Sequence, residues 1–327
     1  MDCLIDRIGL EGCGANTPTS SLFINSLPGI SIKSIHGLTD AERSTAIEVW
    51  NNIQQRGIKK FVTAVRAEMG KKYKLASATQ SVNLGRNVDP TIVTPSNAAL
   101  LYGVVFDFGR GISENYDRSK FLTHYVKEIS YYSTDALSTS IAIIDPLTND
   151  NLWQTSYSPT NTGWQTINVD KLFTAQSIFV CIGYGGNDKT DLFIQDGLSC
   201  SESCRAYVTG AYGQLATSLT ETNNTGGLSV VYSAVCKFDR ILCELSDTFD
   251  LPLWYSLGSE LMMERMASDR VNKWTVNRDQ AAELKAFYDA EFERTLSQAI
   301  GGLNIGYDCC LVCDPQMAIR DSPLFGC

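Results

Sequence analysis

The chain is 327 residues long, 44% hydrophobic and 19% charged, with a net charge of −9. Its length exceeds one ordinary core, so two domains are expected, and the apolar-to-charged balance excludes wholesale disorder. The acidic surplus argues against wrapping nucleic acid over the whole surface, because phosphate binding draws on clustered Lys and Arg. No apolar run approaches the ~20 residues needed to span a bilayer.

Residues 1 to 37 form a Gly-, Ser-, Pro- and Asn-rich arm. Its short apolar triplets, Leu22-Phe23-Ile24 and Ile30-Ser31-Ile32, flank the turn signal Pro28-Gly29. It carries too few apolar residues to fold alone, so it is expected to pack on a neighbour or on the chain's own helices. The first seven residues lack the basic and long apolar segments of a secretory signal, which predicts a protein made and assembled in the cytoplasm. The eleven cysteines are Cys3, Cys13, Cys181, Cys200, Cys204, Cys236, Cys243, Cys309, Cys310, Cys313 and Cys327. In that compartment they read as reduced, partly buried thiols.

Thr39-Asp40-Ala41-Glu42 has the form of a capping box. Behind it the apolar series Ala46, Trp50, Ile53, Gly57, Phe61, Val65 and Met69 recurs at helical spacing. The expected helix runs to about Tyr73, roughly 50 Å at 1.5 Å per residue. Gly57 in its interior signals a close helix contact or a bend. The basic run from Lys59-Lys60 to Lys71-Lys72 reads as a solvated helix face.

A polar linker is expected from Ala76 to Pro95. Then come strand-like runs at Ala98–Phe108, Phe121–Ser133, Thr139–Ile144, Leu152–Tyr157, Trp164–Val169, Ser177–Gly183 and Asp191–Ile194. Trp164, Thr166 and Asn168 alternate with Gln165, Ile167 and Val169. Short strands with turn signals every 8–12 residues read as a sandwich and not as βαβ units. Ser203 to Gly213 fits a last strand or a loop.

Leu228 to Phe249 reads as helix, with Val231, Val235, Phe238, Leu242, Leu245 and Phe249 in one stripe and Cys236 and Cys243 packing along it. A second helix covers Leu253 to Ala267 after the break at Pro252. A third is capped by Asn277, with the stripe Ala281, Leu284, Tyr288, Phe292, Leu296 and Ala299, and ends at Gly301-Gly302. The expected fold is α+β. A discontinuous helical domain (38–84 plus 214–327, with a Cys-rich tail) carries an inserted antiparallel β-sandwich (85–213). Sequential independent domains are the alternative.

No catalytic constellation stands out. His36 and His124 are the only histidines, and neither sits beside a nucleophile motif. Cys310 and Cys313 have the spacing of a zinc knuckle, set against thiols at a terminal contact. Asp145, Asn149, Asp150, Asn187, Asp188 and Asp191 sit in turns of the strand-rich block. Asp188 and Asp191 are the calcium candidates, though turns favour Asp and Asn for backbone reasons too. Trp153, Tyr157, Trp164 and Tyr184 could make a sugar-stacking platform, or serve as core and interface anchors.

The run Phe23-Ile24-Asn25-Ser26-Leu27-Pro28-Gly29-Ile30, followed by a helix, a strand-rich block and the tail Cys309-Cys310-Leu311-Val312-Cys313, resembles structural proteins of tailed phages of Bacteroidetes hosts, the crAss-like phages included. The resemblance implies a virion protein of the tail, neck ring or baseplate, present in many copies and assembled in the host cytoplasm. Its partners would be further copies in a ring and other virion proteins, with no cofactor, no membrane and no sequence-specific nucleic acid. The middle block, through Ile141, Ile143, Asp145-Pro146 and Trp164 to Val169, is similar to galactose-binding-like jelly-roll modules. Two functions are therefore expected, neither of them enzymatic. One is a ring or tail assembly subunit whose sandwich docks neighbouring proteins or fibres. The other is a carbohydrate-binding or adhesin module that contacts host-surface glycan.

Overall fold

The computed structural model describes residues 2–5, 7–11, 18–39, 45–76, 78–84, 91–93, 101–109, 120–133, 139–158, 161, 163–183, 189–191, 206–222, 228–267, 278–303, 305 and 309–313. They form helices and open sheets, the two large ones antiparallel. The chain divides into two compact units. One comprises Met1–Lys74, Ile241–Ile305 and Cys313–Cys327; the other comprises Leu75–Arg240 and Gly306–Val312. The second unit thus begins ten residues earlier and ends later than the insertion expected at 85–213.

In the first unit, strands β1 (Ile8–Gly9) and β2 (Leu22–Phe23) pair in parallel. The short helix α1 (Ile32–His36) follows, then α2 (Ala46–Met69) and strand β3 (Tyr73–Leu75). The chain returns through α3 (Phe238–Glu244), α4 (Asp250–Ala267) and α5 (Arg278–Gly302). The stripe expected on α2 is buried: Ala46, Val49, Trp50, Ile53, Phe61, Val65 and Met69 all face inward. Its cap is not Thr39. Thr45 Oγ1 accepts from the Glu48 N–H at 3.2 Å, and Glu48 Oε2 accepts from the Thr45 N–H at 2.9 Å. Thr39 instead donates its hydroxyl to His36 O at 2.9 Å, in the turn after α1. Asp40 and Glu42 lie outside the described residues. The helix is correspondingly shorter than expected, about 36 Å for its 24 residues.

Helix α4 is apolar around most of its circumference because it is covered on several sides. Leu253, Leu257, Leu261 and Met262 are all buried. Pro252 falls in its first turn, where the missing N–H costs nothing. The close approach expected at Gly57 is present: a Cβ there would lie 2.6 Å from Leu257 Cδ2 on α4. Along α5, Ala281, Tyr288, Phe292 and Leu296 are buried as the periodicity requires. The cap expected at Asn277 lies outside the described residues. Phe61 meets Phe249 edge-on, with centroids 6.0 Å apart, and Phe292 at 6.3 Å.

The second unit carries β4 (Ala78–Asn83), β5 (Thr91–Val93), β6 (Leu101–Asp107), β7 (Leu122–Ser133), β8 (Thr139–Ile144), β9 (Asn151–Tyr157), β10 (Gly163–Phe173), β11 (Ser177–Gly183), β12 (Lys189–Asp191), β13 (Tyr207–Gly213), β14 (Thr220–Thr222) and β15 (Leu228–Cys236). A four-stranded sheet has the order β10-β7-β15-β4, and a six-stranded sheet the order β14-β13-β6-β11-β8-β9. The short strand β16 (Leu311–Cys313) comes from the tail.

Two expectations fail here. Residues 78–83, read as linker, form an edge strand beside β15. Residues 228–236, read as helix, form β15 inside the four-stranded sheet, between β7 and β4. Val231 and Val235 fit a helical stripe. Leu228, Val230, Tyr232 and Ala234 fit a period of two, and these four are fully buried. The β-branched content and the pairing with β7 decide for strand.

Side chains of the two large sheets meet. The Phe106 ring stacks on Tyr232 at 4.0 Å and the Phe108 ring on His124 at 3.9 Å. Gly103 on β6 exists because its strand passes close to β11; a Cβ there would collide with the Val180 carbonyl and stand 2.8 Å from Cys181 Cα.

Candidate functional site

His124 is fully buried. Its Nε2 lies 3.2 Å from Gln176 O, which only a protonated nitrogen can satisfy. The ring is therefore the Nε2–H tautomer, and Nδ1 accepts from the Tyr232 hydroxyl at 2.9 Å. Burial lowers its pKa to about 3, so the imidazole stays neutral near pH 7. With both nitrogens occupied, it is a core residue. His36 lies exposed at the end of α1.

The cysteines correct the expectation of free thiols. Cys3 is bonded to Cys243 across 240 residues, and Cys236 to Cys310 across 74. Cys309 is also in a disulfide. Cys236 ends β15 and Cys243 lies on α3, so the two do not share a helix face. Cys310 has its sulfur in a covalent bond and is not the thiolate that a zinc knuckle with Cys313 requires. Spacing along the chain carried no trace of either partner. Among the described residues, no three metal-ligating side chains cluster. Cys181 is the buried thiol of β11, with its pKa pushed up to about 12 by burial.

Of the calcium candidates, Asp188 lies outside the described residues and Asp191 closes β12 opposite Thr91. The Asp145 carboxylate accepts from the Leu147 N–H at 2.8 Å, and Asn149 adopts φ 64°. That turn uses its Asp and Asn for backbone reasons. The aromatic platform is dispersed. Trp153 and Tyr157 lie opposite Ile143 and Thr139 on β8, whereas Trp164 lies opposite Tyr132 on β7, in the other sheet. Tyr184 lies outside the described residues. Of the basic run, Lys59 and Lys71 are exposed, as a solvated face requires; Lys60 pairs with Glu260 at 3.3 Å and Asp289 at 3.4 Å, and Lys71 pairs with Glu68.

What the structure does assemble is a groove on α2, α4 and α5 that holds the amino-terminal arm by its backbone. Gln54, only 5% exposed, donates Nε2 to Ile5 O at 2.9 Å and Ile8 O at 3.1 Å. Trp254 Nε1 donates to Phe23 O at 2.9 Å. The Tyr288 hydroxyl donates to Pro28 O, and Arg265 Nη1 to Gly29 O at 2.9 Å. Burial lowers the Arg265 pKa and raises that of Tyr288 to about 12. Arg7 on the arm forms a two-pronged pair with Asp250 at 2.7 and 2.5 Å, which raises its pKa.

Side chains complete the fit. Leu27 fills the space over Gly258, where a Cβ would stand 2.6 Å from Leu27 Cδ1. Gly29 turns at φ 76°, and a Cβ on it would strike Leu284. Ile24 and Ile30 are buried. Neither Gln54 nor Arg265 figured among the residues read from sequence. Their signal was present: each is a polar side chain interrupting an apolar stripe.

Among the described residues no helix is long and apolar enough to cross a membrane. The sequence matches no protein-family model and no curated protein.

Proposed function

We propose that the chain is a multi-copy structural subunit of a tailed-phage particle, without catalytic activity. In this reading the four- and six-stranded sheets are the two layers of a sandwich, carried by a helical domain built on α2, α4 and α5. The helical domain takes part in a ring of the tail or neck, and the sandwich docks neighbouring virion proteins or fibres.

One observation carries the reading. The run Phe23–Ile30, on which the resemblance to phage structural proteins rests, is accounted for by packing almost residue by residue. Phe23, Pro28 and Gly29 offer their carbonyls to α4 and α5, and Ile24, Leu27 and Ile30 are buried. Asn25 Oδ1 accepts from the Glu11 N–H at 3.1 Å. A run of this kind specifies a fold, so a likeness in it supports kinship of architecture. Of the two packings open to the arm, a neighbour or the chain's own helices, the geometry has the second.

The test is mass spectrometry of purified particles, with negative-stain imaging of the purified protein. Peptides of the chain in particles at a stoichiometry of several copies, and rings in the images, are the expected result. A protein absent from particles, monomeric at high concentration and retained by immobilised glycans would replace this reading with the glycan-binding one.

A further inference from the structure

We propose that Cys3–Cys243 and Cys236–Cys310 form a redox-operated closure, left open as four thiols during synthesis and sealed when the protein meets oxidising surroundings. The timing rests on the virion reading above, because a particle subunit is made in a reducing cytoplasm and then released from it.

The fold brings each pair together without help from the bond. The arm that carries Cys3 is held by Gln54, Trp254, Arg265, Tyr288 and the Arg7–Asp250 pair, none of which is a cysteine. Cys243 lies on α3, seven residues before the Asp250 that grips Arg7. Docking of the arm therefore places the Cys3 and Cys243 sulfurs within bonding reach. Cys236 ends β15, and the Ala76 N–H donates to Cys310 O at 3.0 Å, which fixes the tail beside that strand.

The pairs differ in access. Cys3 and Cys243 are half-buried, whereas Cys236 is 7% exposed and Cys310 fully buried. Thiol exchange needs an attacking sulfur to reach the bond. The outer pair is thus the exchangeable one, and the inner pair exchanges only after local opening.

With glutathione disulfide as oxidant, the Cys3 thiolate attacks one of its sulfurs and expels one glutathione thiolate. The Cys243 thiolate then attacks the mixed disulfide at Cys3 and expels the second. Two protein thiols and one glutathione disulfide become one protein disulfide and two glutathione thiols, the two protons passing to the departing sulfurs. Sealing closes a loop of about 240 residues, the regime where a cross-link most restricts the unfolded chain.

The experiment takes the full chain through glutathione buffers from reducing to oxidising. Thiol alkylation with peptide mass spectrometry, the melting temperature and hydrogen exchange over residues 18–39 are read at each step. Oxidation is expected to raise Tm by about 5–15 °C and to slow exchange in the arm by about tenfold or more. Cys3–Cys243 should open at lower reductant than Cys236–Cys310. Cys3→Ser should remove the arm's redox response while leaving that of the inner pair. If the variant does not fold, the wild-type titration alone decides. A Tm indifferent to reductant, or Cys3 still alkylated after oxidation, overturns the closure. Alkylation inside infected cells before lysis dates the sealing: bonds already formed there overturn the timing. A protein missing from particles sinks the virion reading while the buffer titration stands.

Discussion

The fit of Leu27 over Gly258 makes a prediction whose sign depends on background. Gly258→Ala gains about 1 kcal/mol of helix propensity in the interior of α4. Its new Cβ stands 2.6 Å from Leu27 Cδ1 and 3.2 Å from Tyr288 Cδ2. Leu27 is 3% exposed, and its neighbours Ile24 and Ile30 are buried with it. The arm has no slack to move, so overpacking costs about 1–3 kcal/mol. The two effects oppose, and the net is a loss of about 0–2 kcal/mol. Leu27→Ala empties the site at a cost of about 2–5 kcal/mol. In that background the Leu27 clash is gone and only Tyr288, at 3.2 Å, must give by a few tenths of an ångström, so the propensity gain largely returns and the double variant is up to about 1 kcal/mol more stable than Leu27→Ala. The implied coupling, about 1–3 kcal/mol, exceeds the ~0.5 kcal/mol scatter of independent sites. Urea denaturation of the four proteins in reductant, with hydrogen exchange over residues 18–39, measures it. Additive effects, or a Gly258→Ala protein more stable than wild type, would mean that Leu27 does not sit over Gly258.

The neutral, buried His124 makes stability fall with acid. Its folded pKa of about 3 lies below the unfolded 6.5, so the unfolded chain takes up the proton first. That stability is complete above pH 6.5 and drains as pH falls towards 3, by about 2 kcal/mol between pH 6.5 and 5. His124→Phe should flatten denaturation midpoints over that window, whatever its absolute stability; an unchanged slope refutes the assignment. Gly103→Ala drives a methyl into the backbone of β11 and should cost more than about 3 kcal/mol. Gly301→Ala meets nothing within 4 Å and should stay within about 1 kcal/mol of wild type, both read by circular dichroism melts. Thr45→Ala should cost about 1 kcal/mol and Thr39→Ala nearly nothing in the same assay; equal effects would refute the cap at Thr45.

Where one periodicity had no competitor, the elements were legible. The stripe from Ala46 to Met69 is helical at every step, and β8 and β11 occupy the residues expected for them, Thr139–Ile144 and Ser177–Gly183. Residues 228–236 supported two periods at once, and only the presence of β7 beside them chose between the two. The Thr-x-x-Glu pattern occurs twice, at Thr39 and Thr45, and the cap belongs to the copy next to the first buried residue, Ala46. Disulfide partners 240 and 74 residues apart leave no local mark. Trp153 and Trp164 look like neighbours in sequence, yet they fall in different sheets because β9 and β10 pair with different strands.

The strand edges bear on how the second unit could meet a neighbour. The outermost strands are β10 and β4 in one sheet, β14 and β9 in the other. An open edge invites another strand unless something blunts it. On β10 the pairing slips between Asn168 and Lys171, with Asp170 at φ 49° and its carboxylate taking the Tyr125 hydroxyl. A bulge with a hydrogen-bonded carboxylate at its crest breaks the regular ladder that an incoming strand would need. Strand β14 is three residues long, too short to template an added strand. In the proposed virion role this leaves the β4 and β9 edges and the side-chain faces for docking, and on those faces Trp164 and Leu172 on β10 and Leu152 on β9 are exposed. Alanine at Trp164 should weaken such docking while leaving the sheet intact, whereas a proline inserted to block strand addition at β14 should change nothing.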